Sequence, residues 1–270
     1  TFWNMRKFNL ATSSAISFND IARKYASDLG MAEGEMRKYV GTLSKDNVAS
    51  ICLLETVNGV GSGMQKNSSE RLCVVNTHLY SNYLRPDIKL WQSLSLLREV
   101  EAFVSQRDCA LLICGDFNSE PKSAVYDFIA NGKLTSEHPE LESEKMNVLP
   151  PHQAVCHGLE LASVMSTLLG GSEPEFTNYT GNFQGVLDYM WFSPESLSVM
   201  HALSFPTGEE LGSLCEGLPS PDFPSDHLML CADLTLSPSG SRTNMHMGGN
   251  SHSSRDQLSS YESYNSFRPR

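Results

Sequence analysis

Six polar residues in this 270-residue chain are of types that carry out hydrolysis, and each stands at the end of an apolar run or interrupts one. His78 comes near the close of "RLCVVNTHLY", Asp116 and Asn118 close "ALLICGDFN", Asp188 breaks "GVLDYMWF", and Asp226 with His227 opens "DHLMLCADLTL". Taken singly, each has a plain structural explanation. His78 suits a hydrogen-bonded structural histidine, Asp226 suits a cap, and turn chemistry accounts for every residue of "GDFNSEPKS". Asp188 is harder to dismiss, because an ionised carboxylate within an apolar run must be paired or hydrogen-bonded. Taken together, three Asp, two His and an Asn offer oxygen ligands with no cysteine or histidine cluster, which suits Mg²⁺ or Mn²⁺ rather than zinc. Two imidazoles add groups that titrate near neutral pH. An imidazole held by a buried carboxylate makes a good general base, since the carboxylate fixes its tautomer and stabilises the imidazolium. A hard cation beside acid–base histidines is the equipment of phosphodiester hydrolysis.

The elements that must position these groups can be read from periodicity. "NVASICLLETV" predicts a buried strand over 48–57, and the polar turn "GSGMQKNSSE" leads to a second strand over 71–80. Leu90, Leu94, Leu97, Val100 and Val104 recur at helical spacing and predict a helix beginning at Pro86, with Asp87 as its N-cap. A third strand covers 110–118, and "AVYDFIANG" predicts a short helix stopped by Gly132. "GLELASVMSTLLGG" predicts another helix ended by its glycine pair, and 185–192 and 226–236 read as late strands. Strands and helices alternate, so the fold class is α/β, and in open α/β sheets sites form where strand ends converge.

Bulk properties restrict the choices. A net charge of −11 argues against broad electrostatic capture of nucleic acid, although not against an enzyme that neutralises one phosphate locally. Seven cysteines, odd in number and without a CxxC pair, predict reduced thiols and no zinc site. No apolar run reaches membrane-spanning length, and no signal peptide is visible. From Ser237 onward the composition turns to Ser, Gly, Asn and Arg, which predicts a disordered tail over 237–270 after a globular body over 1–236. A docking or phosphorylation segment is the functional alternative for that tail.

The ordered series "NTHLY", "CGDFNS", "GVLDYMWF" and "SDHLML" resembles the endonuclease/exonuclease/phosphatase superfamily. With "LSKDNVASICLLE", "VVNTHLYSNYLRPDIKLWQ", "FTNYTGNFQGVLDYMWF" and "LPSPDFPSDHLML", it is similar to the poly(A) deadenylases of the carbon catabolite repression type. The resemblance covers roughly residues 1–236. It implies a four-layer α/β sandwich with two facing sheets. It also implies a Mg²⁺-dependent 3′-to-5′ exoribonuclease that shortens poly(A) RNA and releases 5′-AMP, Mn²⁺ being able to substitute. Asp116 and Asn118 would bind metal or scissile phosphate, and Asp226 would help hold the metal. His227 would activate water, oriented by Asp188, and His78 would contact the phosphate. Asn178 and Phe183 would lie near the nucleotide, where an amide can read a base edge and a ring can stack. Partners would be poly(A) RNA and the other subunits of a deadenylase complex, with no DNA and no membrane. The location would be cytoplasmic with nuclear exchange.

The same resemblance calls for an early Asn and a following metal-binding Glu, and "TFWNMRKFNL" looks like a mid-domain segment that begins after both. Glu55, in "CLLETV", aligns with an internal strand end and is not assigned as that ligand. The expected domain therefore lacks its N-terminal strands. Two other readings stand beside the deadenylase: a relative acting on another phosphoester, such as 2′,5′-linked oligoadenylate, and an inactive piece that serves as an interaction module.

Overall fold

Residues 1–57, 70–135, 137–142 and 156–236, with the backbone pair Tyr261–Glu262, are described by a computed structural model. The expected polar turn lies almost wholly outside these residues, as does the tail apart from that pair.

The spine is a six-stranded mixed sheet in the order β1 (Phe8–Ser17), β2 (Val48–Thr56), β3 (Arg71–His78), β4 (Ala110–Asp116), β8 (Asp188–Phe192) and β5 (Ala162–Ser163). Within this sheet, among the described residues, only β3 and β4 run parallel, and α3 (Pro86–Val104) makes the crossover between them. Side chains alternate across the pleat. Cys73, Val75, Leu111, Ile113, Tyr189 and Trp191 enter one core beneath α3 and α4 (Ala124–Asn131), together with Phe18 and Leu43 of α1 (Phe18–Asp28) and α2 (Glu33–Leu43). Leu72, Leu112, Met190 and Phe192 point the other way. They join Leu197, Val199, Ala202, Ala232 and Leu234 of a second sheet built from β9 (Leu197–Leu203), β10 (Ala232–Leu236) and β11 (Tyr261–Glu262). Two sheets therefore face one another, and helices cover the far side of the larger one. A third cluster packs α6 (Gly208–Leu214) and Leu228 against Phe176 and Tyr179, beside the hairpin of β6 (Asn178–Tyr179) and β7 (Gln184–Gly185).

Several elements differ from the sequence reading. Asp87 does not cap α3. It is fully buried inside the first turn, and Arg85 binds both of its carboxylate oxygens, at 2.9 and 2.7 Å. The expected helix over 158–171 contracts to α5 (Val164–Leu168), because Ala162 and Ser163 are taken by β8 as a strand and Ser163 Oγ then caps the helix. Its glycine pair does end it, in the left-handed region. Of the strand expected over 226–236 only β10 forms. Its first residues leave the ladder so that His227 can bridge to Asn178. All seven cysteines are free thiols.

Geometry requires glycine where β3 and β4 meet the site. Gly115 sits at φ 154°, and a Cβ there would lie 1.9 Å from the carbonyl oxygen of Thr77. This close approach lets β3 and β4 stay paired to their last residues, where the functional side chains begin.

Candidate active site

The ladder assembles the site. His78 is the parallel partner of Asp116, and Asp116 is the antiparallel partner of Asp188, so three polar residues lie side by side across the ends of β3, β4 and β8. All three belong to the alternation set that faces the second sheet. His78 Nε2 stands 3.4 Å from Asp116 Oδ2. From the far side His227 reaches in. Its Nδ1 lies 2.7 Å from Asp188 Oδ2, and its Nε2 lies 3.9 Å from Asp116 Oδ2. An imidazole Nδ1–H donating to Asp188 leaves Nε2 as the free base, pointed toward Asp116.

Asp188 is held by a residue that the sequence reading missed. Thr177 is fully buried, and its Oγ1 donates to Asp188 Oδ2 at 2.7 Å while accepting from the backbone N–H groups of Leu187 and Asp188 at 2.9 and 3.0 Å. Its position just before Asn178, in the quoted "FTNYTG", was the available signal, but a hydroxyl in a strand-like run does not announce three hydrogen bonds.

Charge is concentrated here. Burial and the neighbouring Asp188 carboxylate push the Asp116 carboxyl above its ordinary range, against the Asn118 N–H and the two histidines. For His227, burial disfavours the imidazolium, but the hydrogen bond and charge of Asp188, with Asp116 and Asp226 behind it, outweigh burial and raise its pKa above the ordinary value. Among the described residues, Asp116, Asp188 and His227 form the one group of acidic, His or Cys side chains whose ligand atoms could meet on a single ion. The donors are carboxylate and imidazole, with no thiolate, and two carboxylates crowd one another. The two carboxylates supply oxygen donors of the kind a hard divalent cation takes, and an ion beside them would relieve the crowding, whereas the imidazole is not a donor of that class.

Asn118 stands at φ 48° just past β4, where its backbone N–H closes an Asx turn on Asp116 Oδ1 at 2.7 Å. It borders both the acidic cluster and an adjoining open groove of about 620 Å³. Tyr83, Lys89, Glu120, Lys122 and Phe183 also line that groove. Phe183 is 36 % exposed at the tip of the β6–β7 hairpin, so its ring is presented to the groove. Asn178 is buried instead, and its amide donates to Asp226 Oδ2 at 3.4 Å. Asp226 thus lies behind His227 rather than in the three-residue cluster. Glu55 is at the opposite end of the sheet, where Arg71 binds it at 2.7 Å.

The profile of the endonuclease/exonuclease/phosphatase family matches residues 7–227. The chain belongs to that family. Within it, the chain is 32 % identical over 262 residues to "Carbon catabolite repressor protein 4 homolog 1" of Arabidopsis thaliana, covering 91 % of this chain and 43 % of that protein. It is 31 % identical over 278 residues to the "CCR4-Not complex 3'-5'-exoribonuclease subunit Ccr4" of Coccidioides immitis, covering 87 % of this chain and 34 % of that protein. The chain therefore spans less than half the length of these curated relatives. Among solved family structures, ANGEL2, "a 2',3'-cyclic phosphatase, in complex with adenosine-2',3'-vanadate", matches with a TM-score of 0.64 and 26 % identity over 86 % of this chain and 68 % of that one. The mixed α/β architecture with its large central sheet is thus the family fold.

Proposed function

We propose that this chain carries part of the active site of a Mg²⁺-dependent 3′-to-5′ exoribonuclease that shortens poly(A) tails and releases 5′-AMP. The observation that carries the reading is the His227–Asp188 pair at 2.7 Å, with the free imidazole nitrogen turned toward Asp116. His227 takes a proton from the attacking water through Nε2, and Asp188 holds the ring in that tautomer and stabilises the imidazolium. Asp188 Oδ2 already accepts from His227 and Thr177, so Asp116 is the better placed carboxylate for a metal ion, with Asn118 beside it, while Asp226, expected as a ligand, stands outside that cluster. When bound, the ion would polarise the scissile phosphate. His78 hydrogen-bonds a phosphate oxygen, and Phe183 stacks on a base in the groove. The relatives named as 3'-5'-exoribonucleases support the substrate class, and their complex suggests deadenylase subunits as partners.

The ANGEL2 neighbour favours a second reading, hydrolysis of a terminal 2′,3′-cyclic phosphate. Both are tested on the full-length protein that contains this chain, with Mg²⁺ and either labelled oligo(A) or RNA ending in a cyclic phosphate. Stepwise loss of AMP from the 3′ end, abolished by Asp116→Ala, supports the exonuclease. Opening of the cyclic phosphate without shortening transfers the site to the second activity.

A further inference from the structure

The side chain that fixes Asn118 comes from the far side of the sheet. Helix α3 is the crossover between β3 and β4, and its first turns carry polar residues where an amphipathic helix would place only apolar ones: Lys89, Gln92 and Ser93 are all buried. Two of them run to the strand ends. Gln92 Oε1 accepts from the Tyr80 N–H at 2.9 Å, and its Nε2 donates to Asn47, whose own amide donates to the His78 carbonyl at 2.8 Å. One turn earlier, Lys89 Nζ donates to the Asn118 carbonyl at 2.5 Å.

Desolvating an ammonium to bind one neutral carbonyl is unfavourable, and burial indeed lowers the Lys89 pKa against the pull of Glu140, Asp116 and Glu120. An apolar side chain would fill that place at less cost. What Lys89 secures is a residue in a sparsely populated conformation. Asn118 stands at positive φ with its N–H on Asp116 and its Nδ2 donating to the Leu79 carbonyl at 2.9 Å. The lysine closes the third side. Three anchors then leave the Asn118 Oδ1 as the acceptor of that side chain with no bond among the described residues, at the border between the acidic cluster and the groove.

We infer that Lys89 is a positioning residue: by clamping the Asn118 carbonyl it orients the Asn118 side chain, and through it the reacting phosphate. The functional half of this inference rests on the phosphodiesterase reading above; the clamp itself does not.

Two measurements on the full-length protein separate them. With ¹⁵N label at asparagine, the backbone and side-chain signals of Asn118, assigned by their loss in Asn118→Ala, should move and exchange faster in Lys89→Met and return toward the wild-type pattern in Lys89→Arg. Methionine keeps the buried stem and removes the cost of burying an ammonium, which offsets the Asn118 carbonyl left without its donor, so the variant should fold with a melting temperature close to that of the wild type. Unmoved Asn118 signals would overturn the clamp whether or not the protein proves to be a nuclease. In the cleavage assay, Lys89→Met should lower kcat about 10- to 100-fold with KM little changed, the usual effect of removing a supporting partner. In an Asn118→Ala background the same change should cost little, since the two act through one group. A raised KM, or losses that multiply in the double variant, would mean that Lys89 contacts substrate directly, and the inference would fall. Absence of any cleavage by the wild type would sink the nuclease reading while the Asn118 signals still decide the clamp.

Discussion

At the scale of single residues, the proposed chemistry rests on a hydrogen bond that leaves one ring nitrogen free. His227 commits Nδ1 to Asp188 and so exposes Nε2. Removing a general base typically lowers the rate by about 10²–10⁴, so kcat of the full-length protein with oligo(A) should fall by that factor in His227→Ala. Asp188→Asn should fall nearly as far, and the double variant little further, because residues that act as one unit are not additive. Full multiplication of the two effects would show that they act separately. Thr177 supports Asp188 from below. Thr177→Val keeps its shape but leaves the part-buried Leu187 and Asp188 N–H groups without this acceptor, at a cost of about 1 kcal/mol. The check is denaturant unfolding, in which the midpoint should drop while the slope stays unchanged.

At the scale of elements, legibility followed burial. β2, β3, β4 and β8 stood out as apolar runs because both faces of the large sheet are covered, and α3 stood out by its spacing. β1 went unread because "FNLATSSAIS" has little apolar patterning and is exposed along most of its length. It is a strand because β2 offers it a full antiparallel ladder, which no single-segment pattern encodes. The candidate site was legible as residue types at strand ends, whereas Thr177 and Lys89 were not, since each acts through bonds to a neighbour distant in sequence or to backbone. His157 shows how a loop is pinned to an element. Its Nδ1 accepts from the Leu159 N–H at 3.2 Å and its Nε2 lies 3.1 Å from the Phe128 carbonyl of α4, so the ring is held neutral, and burial lowers its pKa below 6.5. A depressed folded pKa means that its contribution to stability is complete above about pH 6.5 and is lost as pH falls through the folded value. His157→Gln puts an amide in place of the ring, which can donate and accept as the ring does, and removes the titration. The stability difference between wild type and this variant should therefore shrink as pH is lowered from 7.5 to 5 in urea melts, and a constant difference would refute the assignment. His227 works in the opposite sense, its contribution fading as pH rises above 6.5.

At the scale of the whole molecule, the balance of charge bears on how the proposed RNA substrate would be held. A chain of net charge −11 cannot gather a polyanion by its general field. The groove offers two lysines, Lys89 and Lys122, against Glu120 and Glu140, and Lys89 is already committed to a carbonyl. On the proposed reading, recognition would come from stacking on exposed rings and from a metal ion at the acidic cluster, with one or two phosphates neutralised by side chains. Counterion release gives a slope of about −0.7 in log K against log salt for each phosphate contact on a single strand, so one or two contacts predict about −0.7 to −1.4. Fluorescence anisotropy of labelled oligo(A) with the His227→Ala protein, at fixed Mg²⁺ and rising KCl, measures it without cleavage. A slope steeper than about −3, more than about four phosphates on the same scale, would place the affinity in a basic tract outside this groove. A shallow slope together with weakened binding by Phe183→Ala would place it on the ring, where a stacked base contributes roughly 1–3 kcal/mol.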